Sequence, residues 1–249
     1  MKVELKAPRN FSEMTEKQLR YLAALIIVGQ TEDQIRTKCF IRFTGIRPIM
    51  TVNDISYFVK PKLKGFFTLR VEEVVYFSKK LDFLNKQQYA GIRPIGQIGK
   101  YKPVDRLLRD ITFGKYLDAE NYYQAYIFTR DEKYLIKLMA VLFVAKKHDI
   151  KKAEKYFSRK KFQEERFITT MWMMGIKEEF ARKFNYLFVR PTTSEGDGTP
   201  PNMLEIITNQ VRMLTDGDIT KNNLVLSANT WDALTELNNK CRESADLKK

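Results

Sequence analysis

The sequence predicts a mainly α-helical, multi-helix globular protein with one small β-hairpin element near residues 56–69. Three observations lead there. Apolar residues recur at three- and four-residue steps over most of the chain, the spacing that gathers them on one side of a helix. Cap-forming residues stand before these stretches, with glycine or proline after them. Between residues 56 and 69, β-prone residues cluster instead: Ser56-Tyr57-Phe58-Val59 and Gly65-Phe66-Phe67-Thr68-Leu69 flank a lysine- and proline-bearing run at 60–64.

After a poorly ordered or strand-like arm over residues 1–11, Ser12 or Thr15 opens a helix with Glu16 in its first turn. Leu19, Leu22, Ala23, Ile26 and Ile27 share one face of it, and Gly29 ends it. Thr31-Glu32-Asp33 caps a second helix through Ile35, Cys39 and Phe40, stopped by Gly45 and Pro48. Helical spacing returns over residues 71–84. Residues 103–152 then read as two amphipathic helices of opposite direction around Thr129-Arg130-Asp131, with Thr112 capping the first. Phe113, Tyr116, Leu117, Tyr123, Tyr126 and Ile127 line one stripe, and Leu135, Leu138, Met139, Leu142 and Phe143 the other, an αα-hairpin that buries both stripes.

Three further helical stretches come at 153–161, 162–174 and 176–188. Residues 191–201, rich in Pro, Thr and Gly, form the clearest loop. It separates a main helical domain, residues 1–190, from a C-terminal helical segment, 202–249, that packs on it. In that segment Pro201 is placed to start a helix through Leu204, Ile207, Val211 and Leu214. Asp216-Gly217-Asp218 turns the chain, and Ser227 or Asn229 caps a last helix carrying Trp231, Leu234 and Leu237, with a frayed end. Gly45-Ile46-Arg47-Pro48-Ile49 recurs word for word as Gly91-Ile92-Arg93-Pro94-Ile95, either one helix exit used twice or the trace of a duplicated unit.

The composition narrows the function. There are 44 Lys plus Arg against 30 Asp plus Glu, a net charge of +14. Such an excess suits a polyanionic neighbour: nucleic acid, an acidic membrane surface or an acidic protein. Cys39 and Cys241 are the two cysteines, far apart and without CxxC spacing, a pattern that fits a reducing compartment better than a zinc or disulfide framework. No apolar run is long enough to span a bilayer, and the first residues lack a signal-peptide core, so a membrane partner is not expected.

Catalytic motifs are sparse, and the chain reads as a non-enzyme without cofactor. His148 is the one histidine, inside Lys146-Lys147-His148-Asp149-Ile150-Lys151-Lys152, and the spacing makes it a surface residue at a helix end. A multi-histidine metal site is excluded by that count. Asp216-Gly217-Asp218 lacks the further oxygen ligands of a calcium loop. Gly96-x-x-Gly99-Lys100 lacks the ending of a phosphate-binding loop. The strongest candidate site is basic: Lys146, Lys147, Lys151, Lys152, Lys155, Arg159, Lys160, Lys161 and Arg166, with Tyr156 and Phe157 on the helix's inner edge. It is either a solvated helix face or a contact for phosphates, binding without sequence readout and weakening with salt. Met171-Trp172-Met173-Met174, Tyr122-Tyr123 and Phe66-Phe67 supply large apolar side chains suited to an interface core, or simply to burial.

Thr112-Phe113-Gly114-Lys115-Tyr116-Leu117-Asp118 is similar to a TFGxYID-like phrase in proteins of phage tail modules. Residues 213–222, Met-Leu-Thr-Asp-Gly-Asp-Ile-Thr-Lys-Asn, and 231–238, Trp-Asp-Ala-Leu-Thr-Glu-Leu-Asn, resemble the closing segment of such proteins from phages of Bacteroidetes hosts, including the crAss-like group. The phrases cover less than a third of the chain. The resemblance implies a helical protein of the virion's neck–tail region, a ring or adaptor subunit or a tail-assembly factor, assembled in the host cytoplasm. It implies other phage structural proteins and copies of itself as partners, and it carries no catalytic residues. The competing reading is a non-specific nucleic-acid-binding protein using residues 146–166.

Overall fold

The computed structural model describes residues 5–60, 65–86, 89–188 and 202–247, and it is mainly helical, with ten α-helices among them. The chain divides into two units, Met1–Arg93 and Pro94–Lys249. The division falls inside the second Gly-Ile-Arg-Pro-Ile pentapeptide rather than at residues 191–201, which lie outside the described residues. The helices before and after that stretch both belong to the second unit.

In the first unit, α1 (Glu16–Ile27) and α2 (Glu32–Thr44) start by the same device. The Gln18 backbone N–H donates to Thr15 Oγ1 at 3.3 Å while the Thr15 N–H donates to Gln18 Oε1 at 2.8 Å, and Thr31 and Gln34 repeat the exchange. Each pair satisfies two otherwise orphaned N–H groups at a helix start. Gly45 closes α2 in the left-handed conformation at φ +72°. The chain then enters β1 (Arg47–Val52), β2 (Ile55–Val59) and β3 (Phe66–Arg70), an antiparallel sheet in that order, succeeded by α3 (Val71–Ser78) and a 3-10 turn over Lys79–Asn85.

The β element near residues 56–69 is therefore present, one strand larger than the sequence suggested. The extra strand, β1, is joined to β2 by Asn53-Asp54, both left-handed, at φ 47° and 62°. Two consecutive left-handed residues make the tight turn whose twist matches a hairpin. Phe58 faces the core and stacks on Phe67 at 5.9 Å.

The two copies of the pentapeptide begin alike and part. Gly45 and Gly91 are both left-handed, and Ile46 and Ile92 are both buried. Beyond them, Arg47-Pro48-Ile49 continues as a strand with Ile49 55% exposed, whereas Ile95 is 1% exposed in irregular chain. The helix-exit reading holds for the first copy, where Gly45 ends α2, and not for the second, where Gly91 lies in a turn six residues beyond Asn85; the surroundings of each copy set the path of the chain after it.

In the second unit the expected αα-hairpin is formed by α4 (Phe113–Thr129) and α5 (Glu132–Leu142). Arg130 makes the left-handed break, and Asp131 caps α5 by accepting the Lys133 N–H at 2.9 Å. The chain then runs straight into β5 (Phe143–Val144), which pairs with β4 (Lys102–Pro103). Next come α6 (Ile150–Phe157) and α7 (Gln163–Lys183). α7 is one helix through Gly175, where the sequence suggested two. It is buried on nearly all sides, and Met171, Trp172 and Met173 lie in the core rather than on an interface.

The C-terminal segment holds α8 (Met203–Thr215), α9 (Asn222–Ser227) and α10 (Thr230–Asp246), the last capped by Asn229. Pro201 lies outside the described residues; Asn202 caps α8. The segment is tied to the chain before α4: the Phe113 N–H donates to the Ala228 carbonyl at 2.8 Å and the Thr230 N–H to the Ile111 carbonyl at 3.1 Å. The Trp231 indole N–H donates to the Leu107 carbonyl at 2.7 Å.

Candidate functional site

The basic segment folds around α6. Asp149 starts the helix by accepting the Lys152 backbone N–H at 3.0 Å. With the start fixed there, the helical repeat turns Ala153 and Phe157 fully into the core and leaves Lys151, Lys152 and Lys155 on the outside. Phe157 packs on Tyr101, Phe143 and Phe162, with ring centroids 5.0, 5.8 and 6.0 Å away. Tyr156 sits at the rim, 5.2 Å from Tyr101 and 5.0 Å from Phe162, and the Arg159 guanidinium lies 4.9 Å over its ring. Lys146 and Lys147 before the helix and Arg159, Lys160 and Lys161 after it are exposed. Eight of the nine candidate cations therefore stand on the surface.

Arg166 does not. Only 4% exposed, it lies in the first turns of α7. Its Nη1 donates to the Phe157 carbonyl at 3.0 Å and the Arg159 carbonyl at 3.1 Å, and its Nη2 to Glu132 Oε2 at 3.0 Å. It ties the exit of α6 to the start of α5 and is spent on the fold.

Two cations distant in sequence join the face. β4 pairs with β5 through Lys102 and Val144, and Tyr101 packs on Tyr156, so Lys100 and Lys102, both exposed, come beside α6. Lys100 sits in a tight turn closed by two Ile98–Tyr101 backbone hydrogen bonds, 2.9 and 3.1 Å. Gly99 takes the first turn position at φ +60°, where this hairpin turn requires glycine, and a Cβ there would collide with Tyr156 Oη. The turn and α6 are thus fitted to each other at a point where a side chain would displace Tyr156.

Few carboxylates balance the face. Lys152 pairs with Asp149 at 3.2 Å, both on the surface. Among the described residues, no ion pair holds Lys100, Lys102, Lys146, Lys147, Lys151, Lys155, Arg159, Lys160 or Lys161. The Asp149 carboxyl is held below its usual range, first by the Lys152 backbone N–H and then by the Lys152 ammonium. Burial, then the Asp149 charge, pushes the Tyr101 phenol up. His148 is half-buried rather than fully on the surface; it stands edge-on to Tyr101 at 6.5 Å, and among the described residues neither ring nitrogen has a hydrogen-bond partner.

The other sequence candidates are absorbed by structure. Cys39 is fully buried, which pushes its thiol to about 12, far from a reactive thiolate. Burial also raises Cys241. Asp216 ends α8 in the left-handed conformation, its carboxylate 2.5 Å from Lys240 Nζ, and Asp218 caps a 3-10 turn through Thr220. Among the described residues no group of three or more His, Cys, Asp or Glu is placed to hold a metal ion, and no helix is long and apolar enough to cross a membrane.

The phrases that resemble phage proteins meet in space. Thr112 caps α4, and Phe113, Tyr116 and Leu117 are buried. Gly114 lies where a Cβ would stand 3.1 Å from the Leu226 carbonyl of α9, so the glycine admits a close backbone approach. Trp231 and Leu234 of α10 complete the same packed module. These residues hold helices together and make no surface site. No family model, no curated protein and no solved structure matches the chain.

Proposed function

We propose that the chain is a non-enzymatic structural or assembly protein of a phage neck–tail module, acting through protein–protein contacts with other virion proteins and with copies of itself. The phage assignment rests on the resemblance of residues 112–118, 213–222 and 231–238. The contact role rests on one observation. β1 is an edge strand, exposed along all six residues, and it presents Ile49, Met50 and Val52 beside backbone that pairs with no further strand among the described residues. An exposed apolar sheet edge is a template for another strand, and soluble chains usually blunt it with charge or cover it.

The test is solution mass by light scattering at low and moderate salt, without nucleic acid, for the wild type and for Met50→Lys with Val52→Lys. A multimer, or co-purification with a defined virion protein, that the double substitution abolishes supports the reading. A monomer that captures no virion protein and is indifferent to the substitutions overturns it.

A further inference from the structure

We propose that the face built by α6 and the Lys100–Lys102 turn binds the phosphate backbone of duplex nucleic acid, independently of base sequence. This role is additional to the assembly role and does not depend on it.

The first ground is charge left unbalanced by the fold. Elsewhere in the second unit several cations stand on carboxylates, Lys133 on Asp131, Lys177 on Glu120, Lys221 on Asp218 and Lys240 on Asp216, while those without such a partner among the described residues, Lys115 and Arg242 included, are scattered along the chain. On this face, among the described residues, only Lys152 has such a partner. Packed like charges repel, and the single Lys152–Asp149 pair offsets little of that repulsion; an external polyanion, releasing its condensed counterions, offsets more. The second ground is that the cations are brought together from separate parts of the chain onto a firm base. Lys100 and Lys102 arrive by the β4–β5 pairing, and the Tyr101–Tyr156–Phe157 cluster holds them to α6.

The side chains present select the class of partner. Nearly all the cations are lysines, compact point charges without the planar fork that reads guanine or clamps a carboxylate. Arg159 offers the one fork, and it is laid on the Tyr156 ring. That favours phosphates followed along a backbone over an acidic protein surface. Single strands are bound by stacking bases on open aromatic faces; here Tyr101 is buried and Tyr156 is covered by Arg159. A membrane surface needs an apolar helix face free to enter it. The apolar side of α6 is spent on the core, and Ile150 alone among large apolar residues of 146–166 is exposed.

The experiment is fluorescence anisotropy with a labelled mixed-sequence DNA duplex, comparing the wild type with two triple variants of equal charge change. Lys151→Gln/Lys155→Gln/Lys161→Gln removes cations of the face. Lys115→Gln/Lys183→Gln/Arg242→Gln removes exposed cations elsewhere. Circular dichroism melting of each variant checks that the fold is kept. The wild-type affinity is expected to fall by roughly a thousandfold between about 50 and 200 mM salt, as for about six neutralised phosphates. The face variant is expected to bind roughly tenfold more weakly at low salt, with a salt slope shallower by about 0.9 for each phosphate it no longer neutralises. Equal weakening by both variants would reduce the effect to net charge and overturn the proposal. So would absence of duplex binding at low salt, preference for polyglutamate or single strands over duplex, or uptake by phosphatidylserine vesicles without duplex binding.

Discussion

Lys151 and Arg166 belong to one basic run, yet the protein holds them in opposite ways. Lys151 stands on the outer side of α6 with no carboxylate partner among the described residues, while Arg166 is buried and bonded to Phe157, Arg159 and Glu132. A charge run is therefore a boundary condition and not a site. The part that keeps to the helical repeat of α6 stays in water. The part that enters α7 meets the core and is used to join helix ends.

The contrast between the two cations is most exposed to substitutions beneath the surface. Phe157→Ala empties the centre of the aromatic cluster under the face and is expected to cost about 4 kcal/mol in urea unfolding. Arg166→Ala leaves the Phe157 and Arg159 carbonyls without their donor and is expected to cost about 3 kcal/mol. A loss below about 1 kcal/mol there would mean that the buried guanidinium is dispensable and that the two cations differ only in address. Gly99→Ala forces a left-handed alanine against Tyr156 Oη; a loss of about 2 kcal/mol is expected, and pairing it with Tyr156→Phe should return part of it.

Asp149, the carboxylate paired with Lys152, tests the same contrast through pH. Its carboxyl value is depressed in the folded chain, so its stabilising effect is present above the unfolded value of about 3.9 and is lost as pH falls through the folded value. Asp149→Asn, which keeps a capping side chain, should flatten the acid limb of a melting-temperature-against-pH curve. The smallest effects belong to the outer lysines: Lys151→Ala and Lys155→Ala should each leave unfolding stability within about 0.5 kcal/mol of the wild type.

Much of the fold was legible because local chemistry decided it. Thr15, Thr31, Thr112 and Asn229 all cap helices where the sequence placed starts, and the Thr129–Asp131 break is where α4 ends and α5 begins. β1 was missed because Gly45 and Pro48 read as a stop. The usable signal was Asn53-Asp54 between Val52 and Ile55, a left-handed pair between strand formers. Gly175 suggested a break in α7 because glycine weakens an isolated helix, and burial of the helix on nearly all sides outweighs that. At the site, Lys151, Lys152 and Lys155 were legible from periodicity alone. Lys100 and Lys102 were not, since only strand pairing brings them there, and nothing local in residues 162–170 distinguishes the burial of Arg166 from exposure.

The edge strand β1 carries one further consequence. Pro48 contributes no N–H, and the pairing register with β2 slips between Pro48 and Met50, so the ladder offered outward is interrupted near its start. What remains for a visiting strand is the short run Met50, Thr51, Val52. On the assembly reading, a subunit that docks by so few backbone bonds is held firmly only when neighbours on several sides hold it too. On that same reading, a copy that lands in the wrong place would let go before the particle closes over it.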